Sequence, residues 1–212
     1  MSILGACRIN KNVEMAERIS SEILKVYFDQ DIRASTYVTM ANIYATAGLN
    51  DKRDEMIQKI KEECLHKIPG MSWVHINGAS FGFIANEKNH PDSDKIRQRI
   101  KKLKNEFLIW YKEKFGKDYV PDSSVVANSM YKTKEEKEES LWYHSERYAL
   151  VYGLMELPKG AKIIITKNLR ICSDCHPVIE HLSEMLDREI SVRDASRWHH
   201  FKNGKCSCGG YF

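Results

Sequence analysis

The chain is predicted to fold as a mixed α/β layer preceded by helical hairpins. Three observations carry this prediction. The first stretch repeats its apolar residues only at helical spacing, an alternating segment surrounds an Asn-Gly pair, and the last third reads helix, strand, helix, strand. A length of 212 residues, 42% hydrophobic and 29% charged, suits one or two domains with a core of useful size. The formal charge of +4 permits a polyanionic partner without requiring one.

From Ile3 to about Cys64 the pattern is helical, through Ile3, Leu4, Ala6 and Cys7, then Val13, Ala16, Ile19, Ile23 and Leu24. A second set follows in Tyr37, Met40, Ala41, Ile43 and Tyr44, then Met56, Ile57 and Ile60. Asn10-Lys11-Asn12 and Ala47-Gly48-Leu49-Asn50 are turn signals between the halves of each set, which gives two helix-turn-helix units over residues 1–66. Their period of roughly 34 residues is that of tetratricopeptide-like units, which stack on neighbours, so further units are expected upstream; a free-standing helical cap is the alternative.

Pro69-Gly70 ends this pattern. Ser72-Trp73-Val74-His75-Ile76 and Ser80-Phe81-Gly82-Phe83-Ile84 flank Asn77-Gly78 as a β-hairpin. Asp92-Ser93-Asp94 suits the cap of a helix from Lys95 to about Phe115, with Ile96, Ile100, Leu103, Phe107 and Trp110 on one face. Its Lys101, Lys102 and Lys104 read as a solvated face before they read as a nucleic-acid contact. A loop is expected around Pro121-Asp122-Ser123-Ser124, and the run Lys134 to Glu139 as a helix start. Then come a helix from about Lys137 to Gly153, a strand Lys162–Thr166, a helix from about Ser173 to Leu186, and a strand Glu189–Arg193.

Of the six cysteines, Cys172/Cys175 and Cys206/Cys208 form close pairs with histidines nearby, which favours metal over disulfides; Cys7 and Cys64 read as inert thiols. His144, Cys172 and Cys175 supply three tetrahedral zinc positions and leave a fourth for water, as a catalytic centre requires. Glu146, two residues past His144, is placed to move protons without ligating. This His-x-Glu and Cys-x-x-Cys order, separated by a strand, is the zinc-deaminase layout, in which the hydroxide attacks C4 of cytosine. Ile171 stands where the general signature has proline before the first cysteine. Ser173 and Asp174 suit the start of the following helix, whose dipole favours thiolates. A closed structural zinc site is the plainer alternative, and Glu146 argues against it.

A second group combines His176 with the tail Trp198 to Cys208. His176, Cys206 and Cys208 with one more histidine would close a structural zinc site. Alternation puts His199 and His200 on opposite strand faces; His199 is favoured and His200 is the alternative. Gly204 suits the tight return before Cys206. Unbound histidines beside a reactive thiol pair are the simpler alternative.

Across its whole length the chain resembles the DYW-type pentatricopeptide repeat proteins that edit organelle RNA in plants. Leu4-Gly5-Ala6-Cys7-Arg8 and Tyr44-Ala45-Thr46-Ala47-Gly48 look like their two extension motifs, and Lys67-Ile68-Pro69-Gly70-Met71-Ser72-Trp73 like the PG box. His90-Pro91, Gly116 to Pro121, His144-Ser145-Glu146, Lys167-Asn168-Leu169-Arg170, Cys172-Ser173-Asp174-Cys175-His176, Arg193-Asp194, Arg197, His199-His200-Phe201 and Cys206-Ser207-Cys208 continue it. Gly210-Tyr211-Phe212 replaces Asp-Tyr-Trp, keeping aromatic character and losing the carboxylate.

The resemblance implies a cytidine deaminase-like mixed sheet with helices over residues 67–212, with 67–136 as PG box and gating insertion and 137–212 as zinc-binding core and tail. It implies zinc at two sites: a catalytic one on His144, Cys172 and Cys175 with Glu146 as proton shuttle, and a structural one on His176, His199, Cys206 and Cys208. The implied reaction is C-to-U editing of single-stranded RNA read by upstream repeats, in mitochondrion or chloroplast, with editing-factor proteins as possible partners. No membrane partner is expected, since no stretch approaches the roughly 20 apolar residues of a span, and the start lacks a targeting pattern, so any address is expected outside this chain. Two other readings are a zinc-braced, non-catalytic module that binds RNA or protein, and a nuclease; thiolate and imidazole donors disfavour the latter.

Overall fold

The computed structural model describes residues 2–65, 69–126 and 133–212, apart from the side chains of Ser2 and Ser124. Lys67 and Ile68 of the PG-box resemblance lie outside the described residues. The chain divides into two compact units, Met1–Ile68 and Pro69–Phe212.

The first unit holds α1 (Ser2–Ile9), α2 (Val13–Val26), α3 (Gln30–Thr46) and α4 (Asn50–Glu62), the two hairpins expected from the spacing. Asn12 Oδ1 accepts the Met15 N–H and Asp29 Oδ1 the Ile32 N–H, each at 3.0 Å, which caps α2 and α3. α3 packs against the other three helices, burying Ala34, Tyr37, Met40, Ile43 and Tyr44 against Leu4, Cys7, Ala16 and Met56. Cys7 is thus a core thiol, while Cys64 is exposed.

The second unit begins with β1 (Met71–Ile76) and β2 (Ala79–Ile84). Asn77 and Gly78, with φ of 50° and 82°, make the left-handed turn that pairs Ile76 with Ala79. Then follow α5 (Ser93–Phe115), α6 (Lys134–Leu141), α7 (Ser145–Glu156), β3 (Ile163–Lys167), α8 (Cys175–Met185), β4 (Ile190–Arg193), β5 (Trp198–Lys202) and β6 (Lys205–Cys206). Among the described residues the strands form one sheet, in the order β2-β1-β3-β4-β5-β6. Only the pair β3 and β4 is parallel, because α8 supplies the crossover; the other pairs are antiparallel, so the sheet is mixed. This is the α/β, cytidine deaminase-like mixed sheet with helices that the sequence predicts.

α7 is buried on every side from Ser145 to Gly153, packed against β1, β2, β3 and α5. A Cβ on Gly153 would lie 3.0 Å from Ile163 Cγ2 and 3.2 Å from Val74 Cγ2, so helix and sheet approach as closely as glycine allows. α5 adds Ile96, Ile100, Leu103 and Phe107 to the same core.

Three local expectations are corrected. The single helix from Lys137 to Gly153 is two helices, α6 and α7, broken at Trp142-Tyr143-His144. α6 starts at Lys134, as expected of the charged run, where Thr133 and Glu136 form a reciprocal capping box. The charged start of α6 stays exposed while α7 is buried from Ser145 to Gly153, and one straight helix would carry those charges into the core. Asp92 occupies the N-cap position of α5 but does not cap it with its side chain, which takes Lys95 Nζ at 2.7 Å instead. Asp174 likewise precedes α8 without capping it. On the lysine face of α5, Lys101 and Lys102 are exposed, as expected of a solvated face, and Lys104 pairs with Glu139. Among the described residues no helix is long and apolar enough to cross a membrane.

Candidate metal centres

His144 is the N-cap residue of α7, with extended backbone (φ −69°, ψ 151°), so its ring projects from the helix start. Cys172 lies in the loop after β3, and Cys175 opens α8, donating its backbone N–H to Cys172 Sγ at 3.2 Å. Two helix starts therefore converge, and His144 Nδ1 lies 3.6 Å from Cys172 Sγ and 3.5 Å from Cys175 Sγ. Zinc bonds of about 2.3 Å to sulfur and about 2.0 Å to nitrogen, at a tetrahedral angle, require an S···N edge of roughly 3.5 Å. The donors present fit that ion. Among the described residues no fourth His, Cys, Asp or Glu joins this group.

The thiols differ. The Cys175 contact lowers the Cys172 pKa well below the ordinary thiol value, against burial and with help from His144. The same contact, burial and the neighbouring thiolate push Cys175 well up. A divalent cation between them relieves that repulsion, which is the chemistry such a pair suits.

Glu146 is buried in the first turn of α7, and its charge acts on His144 and both thiols. Lys167, the last residue of β3, donates from Nζ to Glu146 Oε1 at 2.9 Å. The Ser145 hydroxyl donates to Oε2 at 3.1 Å and, with its one proton so committed, accepts from Ser72 Oγ of β1 at 2.9 Å. Burial alone would raise the Glu146 pKa; the Lys167 and His144 charges override it and bring it down to about 2. The carboxylate is thus ionised, with one oxygen held by Lys167 and the other by Ser145.

Beneath this group Arg147 pairs with Asp174, which also accepts the Tyr119 hydroxyl at 3.1 Å and the Asp122 N–H at 2.9 Å. These bonds occupy Asp174 in place of a helix cap. The Arg147 guanidinium lies 4.4 Å over the Trp142 ring, and its Nε and Nη1 have no hydrogen-bond partner among the described residues.

The second group is also assembled. His176, the second residue of α8, brings Nε2 to 3.2 Å from Cys208 Sγ, and His199 of β5 brings Nδ1 to 3.8 Å from Cys206 Sγ. These edges bracket the tetrahedral value, so four donors fit a closed zinc site. His200 does not join them: it faces the other side of β5, bonded to Ser191 Oγ at 2.8 Å and stacked on Trp198. His199 Nε2 faces Asp194 Oδ2 at 3.2 Å, the outer-shell arrangement common around metal-bound histidine. Burial would raise the Asp194 pKa, but the His199 ring and the N–H groups of Arg197, Ser196 and Ile171 hold it well below the carboxylate range. The terminal Phe212 stacks on His176, with centroids 3.8 Å apart and planes 6° from parallel.

Lys167, Asp194 and Ser72 were not singled out as site residues from the sequence. Each lies in a strand or at its end and meets its partner only through the fold, although all three fall inside motifs of the family resemblance.

A mixed α/β layer with a His-x-Glu helix start facing a Cys-x-x-Cys helix start has the architecture of the cytidine deaminase-like proteins. Comparison with known proteins gives the particular family: residues 118–212 match the DYW family of nucleic acid deaminases, and residues 10–75 match the E motif. The chain thus carries an E-motif segment followed by a DYW deaminase segment, an arrangement consistent with a DYW-type pentatricopeptide repeat protein. A putative pentatricopeptide repeat-containing protein of Arabidopsis thaliana is 41% identical over 211 residues, covering 100% of this chain and 24% of the relative. A pentatricopeptide repeat-containing protein of the same plant, described as chloroplastic, is 39% identical over 212 residues, covering 100% of this chain and 22% of the relative. The chain therefore spans about a quarter of the length of the relatives it matches.

Proposed function

We propose that this chain is the catalytic part of an RNA editing protein that hydrolyses cytidine to uridine and ammonia in organelle RNA. The observation that carries the reading is the pairing of three zinc-type donors, His144, Cys172 and Cys175, with a buried non-ligating carboxylate, Glu146. Zinc held there would supply the Lewis acidity that makes water a nucleophile near neutral pH. Glu146 takes one proton of the attacking water and passes it to N3 of the cytosine ring. It then takes the second proton from the oxygen added at C4 and passes it to the amine, which departs as ammonia while the C4 carbonyl forms. Lys167 and Ser145 hold the two oxygens of that carboxylate, so the shuttle starts ionised and oriented.

The group of His176, His199, Cys206 and Cys208 serves as a structural zinc site that ties the tail to α8. Residues 1–66 act as the extension motifs and 67–212 as the deaminase domain, with 67–136 forming the PG box and gating insertion. The target is single-stranded RNA presented by pentatricopeptide repeats such as those named in the relatives, with editing-factor proteins as further partners. The chloroplastic relative supports an organelle, mitochondrion or chloroplast.

The test tethers the chain to a candidate transcript and measures cytidine conversion and zinc content together. Glu146→Ala is expected to abolish conversion with zinc retained. Undiminished conversion in that variant excludes the mechanism, and zinc-loaded protein inactive in both forms points to a zinc-braced binding module.

A further inference from the structure

Asp194 is 2% exposed and touches the scaffold of both donor groups. Its Oδ1 accepts the N–H groups of Ser196 at 2.7 Å and Arg197 at 2.9 Å, and the Ser196 hydroxyl at 2.8 Å. These bonds fix the carboxylate just past β4. Its Oδ2 accepts the Ile171 N–H at 3.1 Å and faces His199 Nε2 at 3.2 Å. Ile171 is the chain neighbour of Cys172, a donor of the first group, and His199 is a donor of the second. One oxygen therefore sets the loop that carries Cys172 and the tautomer that frees His199 Nδ1. A covalent link runs in parallel, because Cys175 and His176 are consecutive residues that face different groups.

We propose that Asp194 couples the two centres, so that a divalent cation in the tail group strengthens cation binding by His144, Cys172 and Cys175. The inference rests on the metal reading above. A cation drawing on His199 Nδ1 makes the Nε2–H a stronger donor to Asp194 Oδ2. Held harder on one side, the carboxylate holds the Ile171 N–H in place on the other, and Cys172 is presented to His144 and Cys175 already ordered. The ordering cost of that loop then falls on the tail group, and the benefit is reciprocal by linkage.

The experiment is a zinc titration of the metal-free full chain against a chromophoric chelator, with far-UV circular dichroism as the folding control. Variants are Asp194→Asn, the tail pair Cys206→Ser/Cys208→Ser, all three changes together, and Cys172→Ser to identify the tail group's own step. Asparagine has one carboxamide oxygen, so in either orientation its NH2 faces backbone N–H donors or the Ile171 and His199 pair.

The wild type is expected to bind two zinc ions. The tail pair variant is expected to bind one, with an affinity for the first group about 10–100-fold below that of the wild type. Asp194→Asn should weaken the first group similarly in the wild type and by a smaller factor when the tail pair is already lost. If the tail pair variant binds its one ion with wild-type affinity, the coupling is overturned while both metal sites stand. Fewer than two ions on the wild type would overturn the metal reading and the coupling with it. The tail pair comparison leaves Asp194 unchanged, so it decides whether the two centres are coupled even if Asp194→Asn does not fold. An Asp194→Asn variant that folds and weakens the first group equally with and without the tail pair would assign the coupling to the Cys175-His176 link instead.

Discussion

Lys167 Nζ and Glu146 Oε1 stand 2.9 Å apart, and both side chains are only 4% exposed. Removing one partner of such a pair strands a buried charge, so Lys167→Met is expected to lose about 3–5 kcal/mol of stability, and Glu146→Gln somewhat less because the amide still accepts a hydrogen bond. The double variant should lose clearly less than the sum of the two. Urea unfolding of the four proteins measures this, and strictly additive losses would show that the pair carries no coupling energy.

Phe212 covers one face of the His176 ring, so the last residue of the chain braces a donor of the tail group. Phe212→Ala is expected to cost about 0.5–1.5 kcal/mol and to speed zinc release from that group, while Phe212→Trp retains both properties. Thermal melting and chelator-driven release are the measurements. Unchanged release in the alanine variant would mean that the stack contributes nothing to metal retention.

Gly204 has φ +70°, and a Cβ there would meet Glu184 Oε2 at 2.4 Å. Gly204→Ala combines left-handed strain with displacement of a carboxylate that pairs with Lys114, so a loss of about 1–2 kcal/mol is expected. Gly204→Asn, which tolerates the backbone better, still meets Glu184 and should recover only part of the loss. Equilibrium unfolding of both variants reads the difference.

In the helical unit, Arg33 reaches Glu63 with Nε at 2.7 Å and Nη2 at 2.8 Å, and the Tyr37 hydroxyl donates to the same carboxylate at 2.6 Å. The Arg33 bonds, then Tyr37, lower the Glu63 pKa from its ordinary 4.5 against a smaller opposing effect of burial. A carboxyl depressed on folding stabilises fully above its unfolded pKa, and that stability is lost as pH falls through the folded value. Since the Glu63 side chain is 31% exposed, solvent screening keeps the effect near about 1 kcal/mol. Glu63→Gln should therefore melt below wild type at neutral pH and converge with it in acid. A gap that persists in acid would assign the loss to packing.

Periodicity made the helical hairpins legible, since Ala16, Tyr37, Met40 and Tyr44 reach the core that their spacing predicts. The Asn77-Gly78 pair likewise marked its hairpin, because few other dipeptides accept two left-handed residues. The metal-type donors were legible for a different reason: Cys172, Cys175 and His176 are neighbours in sequence, so their chemistry is visible before any folding. The break at His144 was not, because Lys134 to Gly153 are mostly helix-compatible residues and the interruption is imposed by where each half is buried. Asp194 was hidden as a hub because its partners Ile171 and His199 meet it only after β4 and β5 pair. Lys167 was hidden for a similar reason: nothing at the end of a strand marks a lysine that will be shut away beside Glu146.

The matched deaminase segment begins at residue 118, yet β1, β2 and α5 lie before it. β1 covers one edge of β3 through the Ser72–Lys167 to His75–Ile164 register, and Ser72 reaches Glu146 through Ser145. A peptide cut at residue 118 would leave β3 with a bare apolar border and α7 without much of its wall. Such a piece exposes an unpaired strand edge of the kind that aggregates, whereas a version that keeps the compact unit whole starts at or before Pro69.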